Sequence, residues 1–165
     1  MKPLWVETGD DVRLAIVLRP RGGDWLAGEM RKLRHAGVDV LVSMLPPEEA
    51  AELGLSDEAA ECEQAGIVYH SFAIEDRQVP TSHKYFGAFV DELRSELHSG
   101  KSIAAHCRAS IGRSSLLLAC ILCAEGWSWR QAFQRISAAR GLPVPDTPEQ
   151  EQWVKGFASS LVRPK

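Results

Sequence analysis

One stretch of the chain combines residue types and a spacing that could carry out chemistry, residues 106–114 with the sequence HCRASIGRS. Five residues separate Cys107 from Arg113, and Gly112 directly precedes the arginine. A short loop that runs into a helix N-terminus can turn several backbone N–H groups into one concavity, where the helix dipole adds partial positive charge. A glycine permits a backbone conformation or a close approach that a side chain would hinder. The stretch therefore predicts a loop that binds an anion such as phosphate.

Two side chains of this loop have the chemistry to act on a bound phosphate. The planar guanidinium of Arg113 matches two phosphate oxygens at once. Cys107 lies at the base of the positive cup, and its thiolate would be placed for in-line attack on phosphorus. Ser114 could donate its hydroxyl to the sulfur, and His106 is expected to support the loop by hydrogen bonding. A lone free cysteine is most often a buried small hydrophobe, but the joint spacing favours the nucleophile.

A second candidate group lies in residues 74–80, which have the sequence IEDRQVP. This segment follows a predicted strand and ends in proline, so it is predicted to be a surface loop. A proton donor on such a loop helps to expel an alkoxide or phenolate from phosphorus, and the same carboxylate could then activate a water molecule. The pattern Ile-x-Asp-x-x-x-Pro favours Asp76 over Glu75 for this role. The alternative is that Asp76 is a solvated loop carboxylate.

These groups need a scaffold, and the hydrophobic pattern predicts one of the α/β class. Strands are predicted at residues 12–18, 38–45, 67–72 and 101–105. Helices are predicted from the N-cap Asp24 as far as Gly37, over residues 48–53, 57–65, 82–98, 113–124 and 128–139, and from Pro148 onward. This alternation indicates a central, largely parallel sheet with helices on both faces. The cysteine loop falls between a strand and a helix, where α/β sheets place ligand sites.

Residues 106–114 resemble the phosphate-binding signature of the cysteine-dependent protein tyrosine phosphatase superfamily. The chain length suggests the compact dual-specificity-like branch and its small bacterial-type members, and the acid-bearing loop, the signature and a terminal glutamine motif follow in the family order. The resemblance implies a phosphocysteine intermediate on Cys107, with Asp76 as general acid and base. It also implies that one run of residues binds the phosphoryl oxygens: Arg108, Ala109, Ser110, Ile111, Gly112 and Arg113. Many relatives carry glycine where this chain has Ser110.

Gln150 belongs to the glutamine motif, residues 147–150 with the sequence TPEQ. The spacing is that of a capping box, with Thr147 as N-cap, Pro148 in the first helical position and Gln150 reaching back. In relatives, a glutamine in a similar context helps to position the hydrolytic water, so a catalytic role for Gln150 and a capping role both stay open. Asp146 follows the signature, and it is interpreted as part of the turn before the last helix.

The leading functional hypothesis is a protein tyrosine or dual-specificity phosphatase, a phosphoric monoester hydrolase that acts on phosphorylated proteins. One alternative keeps the chemistry and changes the substrate to a phosphoinositide, a nucleotide or another small phosphate ester. Arg108 is the only added base in the loop, which mildly disfavours lipids. Another alternative is a catalytically inactive phosphate-binding module. No cofactor or metal is expected, because Cys120 and Cys123 fall within an apolar helix and the chain offers no further ligands at suitable spacing.

Composition and charge limit the remaining possibilities. The 165 residues are predicted to form a single domain, residues 1–165, and the net charge of −3 argues against nucleic acid as a partner. The first residues lack a signal-peptide core and the longest apolar run, residues 116–124, is about half of what a bilayer requires, so no membrane association is expected. Four cysteines without a disulfide pattern favour a cytoplasmic protein with reduced thiols. The oligomeric state stays open.

Overall fold

The computed structural model describes residues 2–9 and 11–161, and a five-stranded sheet lies at its centre. The strands are β1 (Leu4–Trp5), β2 (Leu14–Ile16), β3 (Val40–Ser43), β4 (Val68–Ser71) and β5 (Ile103–His106). They are arranged in the order β1-β2-β5-β3-β4, in which β1 is antiparallel to β2 and the other neighbours are parallel. Every residue of β3 and β5 is buried, which requires cover on both faces of the sheet. The predicted α/β architecture is confirmed.

Within the part of the chain that the structure describes, seven α-helices surround this sheet. They are α1 (Leu26–His35), α2 (Pro47–Glu52), α3 (Glu58–Ala65), α4 (His83–His98), α5 (Arg113–Ala124), α6 (Trp129–Arg140) and α7 (Pro148–Ser160). Helix α1 packs against α3, whereas α5 contacts α4, α6, α7 and β5. Each predicted helix is present, with ends close to those predicted. None of the described helices combines the length and apolar character needed to cross a membrane.

Helix α5 forms the centre of the helical layer, because its residues from Arg113 to Cys123 are all buried. A helix buried on every side shows no polar face in its sequence. Cys120 and Cys123 pack in this core with free thiols, as the sequence predicts. Burial raises the pKa of Cys123 to about 11 and holds that of Cys120 well above its usual value. Both thiols therefore stay protonated at neutral pH and act as small apolar groups.

Two details of the first third of the chain differ from the prediction. Asp24 does not cap α1, because it lies inside a 3₁₀ turn, Gly23–Trp25, and Trp25 occupies the N-cap position without a side-chain hydrogen bond. Strand β1 was not predicted, since two residues are too few to show an alternating pattern. Its pairing with β2 adds an antiparallel strand at the edge of the sheet.

Candidate active site

Residues 107–112 form the loop that connects β5 to the N-terminus of α5, at the carboxyl end of the parallel strands. Cys107 is the first residue after β5 and is only 2% exposed. Its Sγ lies 3.4 Å from Oγ of Ser114, in the first turn of α5. The structure thus brings the predicted nucleophile and the predicted hydroxyl donor together at the base of the loop, where α/β sheets bind ligands.

Side chains from outside the loop hold its carbonyl groups. Arg140 on α6 donates from Nε to the carbonyl of Ser110 at 2.9 Å and from Nη2 to that of Ala109 at 3.1 Å. The carbonyl of Cys107 lies 3.3 Å from Nδ1 of His106. In a trans peptide the N–H that follows a carbonyl points the opposite way. The N–H groups after these three carbonyls therefore point away from Arg140 and His106, as an anion-binding loop requires.

Ser110 has a backbone conformation that glycine adopts more readily than other residues. Its φ of 54° lies in the left-handed region, which costs an ordinary residue about 1–2 kcal/mol. The Ser110 hydroxyl donates to the carbonyl of Val17 at 2.6 Å, just after β2. This hydrogen bond anchors the loop to the neighbouring strand and offsets the backbone cost, so serine is compatible with the loop geometry.

Arg113 is a buried cation, only 2% exposed, and its guanidinium has several fixed partners. Its guanidinium forms a bidentate ion pair with Glu49, with N–O distances of 2.8 and 3.0 Å. Nη1 also donates to the carbonyl of Ile74 at 2.7 Å, and Nη2 donates to Oδ1 of Asp76 at 3.1 Å. Burial is the largest single influence and opposes the positive charge, but the hydrogen bonds to Glu49 and the nearby charges of Cys107, Glu49 and Asp76 together hold the pKa of Arg113 above its usual value. These contacts orient Arg113 beside the loop.

Glu49 is a site residue that the sequence analysis missed. It lies in the short helix α2, which follows β3 and reaches the same end of the sheet as the cysteine loop. Its carboxylate also accepts from Nε of Arg108 at 2.9 Å, and Glu52 accepts from Nη2 of Arg108 at 3.2 Å. The bonds from Arg113 and then Arg108, against the opposing effect of burial, lower the pKa of Glu49. The signal in the sequence was the position of a proline-initiated acidic helix directly after a buried strand.

Asp76, the predicted acid, lies in the loop after β4 and its side chain is 58% exposed. The contact with Arg113 brings this carboxylate to the cysteine loop, whereas Glu75 has no such contact among the described residues. The acid-bearing loop is tied to the turn before α7, because Arg77 donates to Asp146 at 3.0 Å. Asp146 thus belongs to the turn before the last helix, as the sequence predicts, and supports the acid-bearing loop.

Gln150 forms the predicted capping box at the start of α7. Its backbone N–H donates to Oγ1 of Thr147 at 3.1 Å, and its Oε1 accepts from the backbone N–H groups of Thr147 and Asp146. The fully buried side-chain amide also donates to the carbonyl of Gln78 in the acid-bearing loop at 3.1 Å. A Cβ added at Gly112 would lie 2.7 Å from Oε1 of Gln150, so the two residues are in close contact. The capping role is confirmed, and the water-positioning role stays a prediction.

The mouth of the site is a cavity of about 420 Å³ with a mostly acidic lining. It is lined by Pro46, Glu48, Glu49, Glu52, Glu75, Asp76 and Arg108. The carboxylates of Glu49 and Glu52 are partly neutralised by Arg108. The other carboxylates leave this entrance with an excess of negative charge, in contrast to the cationic base formed by the loop and Arg113.

Comparisons with known proteins agree with this geometry. The family model described as "Polymorphic toxin system, DSP-PTPase phosphatase" matches residues 17–127, more than half of the chain. The match includes Asp76, Cys107, Arg113 and Ser114, and ends before Gln150. No curated protein sequence matches significantly.

Solved structures of other proteins share this fold at low sequence identity, as three examples show. The structure of kinase associated phosphatase (KAP), with its catalytic site cysteine substituted by serine, has a TM-score of 0.85 at 18% identity, covering 98% of this chain and 96% of that one. Tk-PTP in its active form has a TM-score of 0.77 at 21% identity, covering 96% and 97%. PTPMT1 in complex with PI(5)P has a TM-score of 0.76 at 19% identity, covering 94% and 95%.

Fold, cysteine loop and family match together define a compact member of the cysteine-based protein tyrosine phosphatase superfamily. Within this superfamily, the chain belongs to the DSP-PTPase family described above. It is accordingly a phosphatase, a hydrolase of phosphoric monoesters.

Proposed function

We propose that this phosphatase acts on phosphotyrosine, or on phosphotyrosine together with phosphoserine and phosphothreonine, through a phosphocysteine intermediate on Cys107. The observation that carries the proposal is the meeting of three groups at the end of β5. Cys107 lies at the base of the loop, and the buried guanidinium of Arg113 reaches Asp76 at 3.1 Å. A nucleophile, a fixed cation and an acid in one site are what phosphoryl transfer through a covalent intermediate needs. The catalytic site cysteine of the related KAP structure supports the same assignment.

In the first step, the thiolate of Cys107 attacks phosphorus, a sulfur–phosphorus bond forms and the bond to the leaving oxygen breaks. Asp76 gives its proton to that oxygen. Arg113 stabilises the charge on the non-bridging oxygens together with the loop backbone. This backbone is contributed by Arg108, Ala109, Ser110, Ile111 and Gly112. The Ser114 hydroxyl, 3.4 Å from the sulfur, donates to the thiolate.

In the second step, water attacks phosphorus and the sulfur–phosphorus bond breaks. Asp76, now ionised, accepts a proton from the water, and the thiolate of Cys107 leaves with the Ser114 hydroxyl as its donor. The partial exposure of Asp76 supports this double role, because the carboxyl contacts Arg113 and remains accessible to solvent. Nucleophile, acid and phosphate-binding cation are all side chains of this chain, so hydrolysis should persist in EDTA.

Gln150 is proposed to position the water in the second step, and replacing it tests this role against its capping role. Gln150→Ala should slow hydrolysis of the phosphocysteine about tenfold or more, so that a burst of leaving group precedes a slower steady state. Thr147→Ala is the matched control, because it removes the reciprocal cap and should cost about 1 kcal/mol of stability without a burst. Rapid-mixing kinetics and thermal unfolding measure the two effects. A Gln150→Ala variant that is destabilised but shows wild-type kinetics would leave the residue with capping alone.

The acidic mouth supports a phosphorylated protein as the substrate. A phosphoinositide or a nucleotide carries further negative charge next to the hydrolysed phosphate, and Glu48, Glu75 and the other carboxylates of the mouth would repel it. A peptide around phosphotyrosine can supply neutral or basic neighbours. A second candidate is a phosphoinositide, which is favoured by one structural relative, PTPMT1, whose structure contains PI(5)P.

A substrate panel in EDTA buffer tests this choice. We expect kcat/KM for a phosphotyrosine peptide to exceed that for PI(5)P by at least about tenfold, because like charges at the mouth weaken binding of the lipid headgroup. Changing Glu48 and Glu52 together to glutamine should lower the ratio of the two kcat/KM values. A Glu63→Gln variant, on the exposed surface of α3, should leave this ratio unchanged. Equal or faster turnover of PI(5)P would reverse the assignment in favour of the lipid. Hydrolysis of no ester in the panel would contradict both candidates.

We further propose a single cytoplasmic domain over residues 1–165. The four cysteines, Cys62, Cys107, Cys120 and Cys123, are all unpaired, which supports a reducing compartment. A nucleophilic thiolate also has to stay reduced to act, so the location and the mechanism support each other.

A further inference from the structure

His106 and Glu58 form a buried ion pair beneath the cysteine loop, with no part in the steps described above. Glu58 on α3 is 1% exposed and His106 at the end of β5 is fully buried. Oε2 of Glu58 lies 2.6 Å from Nε2 of His106, across 48 positions of the sequence. Two ionisable groups are costly to withdraw from water, even when paired. Their presence directly before the nucleophile therefore suggests a function beyond packing.

The contacts of His106 determine where its protons lie. Nδ1 faces the carbonyl of Cys107 at 3.3 Å, and Nε2 faces the carboxylate of Glu58. A carbonyl oxygen only accepts hydrogen bonds, so Nδ1 has to carry a proton, and a second proton is held between Nε2 and the carboxylate. The pair therefore holds two protons with no net charge, and its Nδ1–H is committed to the backbone of Cys107.

The other titratable groups around the pair are neutral or more distant. Tyr69 on β4 donates from its hydroxyl to Oε1 of Glu58 at 3.4 Å, and Cys62 and Glu61 lie on the same helix as Glu58. Burial and then the charge of Glu58 raise the pKa of Tyr69 and that of Cys62 to about 12. Both groups therefore stay protonated at neutral pH and add no charge beside the pair of Glu58 and His106.

We propose that Glu58 is a positioning residue of the phosphatase centre, which acts through His106 to hold the carbonyl of Cys107 away from the phosphate cup. This inference rests on the proposed role of Cys107 as nucleophile. With the carbonyl held by Nδ1–H, the next backbone N–H points the opposite way, towards the cup. Without the carboxylate, the imidazole is free to adopt the tautomer with an unprotonated Nδ1, which repels the carbonyl. The loop would then lose a donor to the phosphate and a positive edge close to the sulfur.

Glu58→Gln tests the proposal, because it keeps the length of the side chain and removes its charge. We expect alkylation of Cys107 by iodoacetamide near pH 6, located by mass spectrometry, to slow about tenfold, with the whole rate–pH curve displaced to higher pH. The matched control is Glu29→Gln, which removes another buried carboxylate, 3% exposed, that lies in α1 and is paired with Arg21. It should lower the melting temperature and leave the alkylation curve in place.

The outcomes separate this inference from the proposed function. Alkylation curves that coincide for wild type and Glu58→Gln would overturn the positioning role, whatever happens to the melting temperature. Alkylation needs no turnover. If Glu58→Gln slows alkylation as expected but the wild type hydrolyses no phosphate ester, the result contradicts the proposed function alone. If Glu58→Gln does not fold, nitrogen NMR of the wild-type protein between about pH 5 and pH 8 measures whether Nδ1 of His106 carries a proton. A protonated Nδ1 throughout supports the role, and an unprotonated Nδ1 overturns it.

Discussion

Replacing Cys107 by serine is expected to lower kcat for an aryl phosphate at least about 10⁴-fold, to the level of the buffer. A serine hydroxyl is not appreciably ionised at neutral pH, whereas a thiol in a cationic loop reacts as the thiolate. The substitution leaves Arg113 and its ion pair with Glu49 in place. Cys107→Ser should therefore still bind inorganic phosphate. Hydrolysis assays in EDTA measure the first effect, and calorimetric titration with phosphate measures the second.

The chain provides a matched control for this experiment. Cys123 is also a buried free thiol, 7% exposed, but lies near the far end of α5. Cys123→Ser should cost about 1–3 kcal/mol of stability, because it buries a hydroxyl in an apolar core, and should leave kcat unchanged. The mechanism would be refuted if Cys107→Ser kept a measurable fraction of the wild-type rate while folded.

The features that the sequence predicts well are those in which the interacting groups are close in the chain. Three helix starts follow from N-caps, because the side chains of Ser82, Ser128 and Thr147 each accept from a backbone N–H three residues later. The proximity of Cys107 and Ser114 follows in the same way, since one strand, one loop and one helical turn contain both. Local geometry determines these contacts, whatever the rest of the fold does.

The partners of the site could not be predicted, because they come from distant parts of the chain. Glu49 is 64 positions from Arg113, and Arg140 is 30 positions from the carbonyl that it holds at Ser110. Glu49 lies in a short helix with three glutamates, and its sequence is typical of a solvated surface. Which of the three pairs with Arg113 depends on how α2 packs at the end of β3. That rotation is a property of the tertiary structure, and no local pattern determines it.

At Asp24 the local sequence pattern gives a wrong prediction, because contacts with a distant part of the chain determine the structure there. An aspartate before an apolar periodic segment is a good N-cap. Here, however, the chain enters α1 through a 3₁₀ turn, and Gly22 packs against the turn after α2, where an added Cβ would clash with the carbonyl oxygen of Leu53. This close contact between two loops at the carboxyl end of the sheet constrains the start of α1, so the helix begins later than the cap predicts.

Replacing Asp76 by asparagine is expected to reduce kcat about 10²–10³-fold for a phosphotyrosine peptide. Asparagine keeps an oxygen that can accept from Nη2 of Arg113, as Asp76 does at 3.1 Å, so the guanidinium should stay in position and KM should change little. The variant has no proton to give to the leaving phenolate and no carboxylate to activate water.

The dependence on the leaving group distinguishes a proton donor from a residue that only holds Arg113. A substrate with an acidic leaving group needs little help from a general acid, so Asp76→Asn should lose much less activity on nitrophenyl phosphate in the first step than on phenyl phosphate. Glu75→Gln is the matched control, because it removes a neighbouring carboxylate of the same mouth that has no described contact with Arg113. It should keep the wild-type slope of rate against leaving-group acidity. Equal losses of activity on both substrates for Asp76→Asn would show that Asp76 is not the general acid. A changed slope for Glu75→Gln would assign the role of general acid to Glu75.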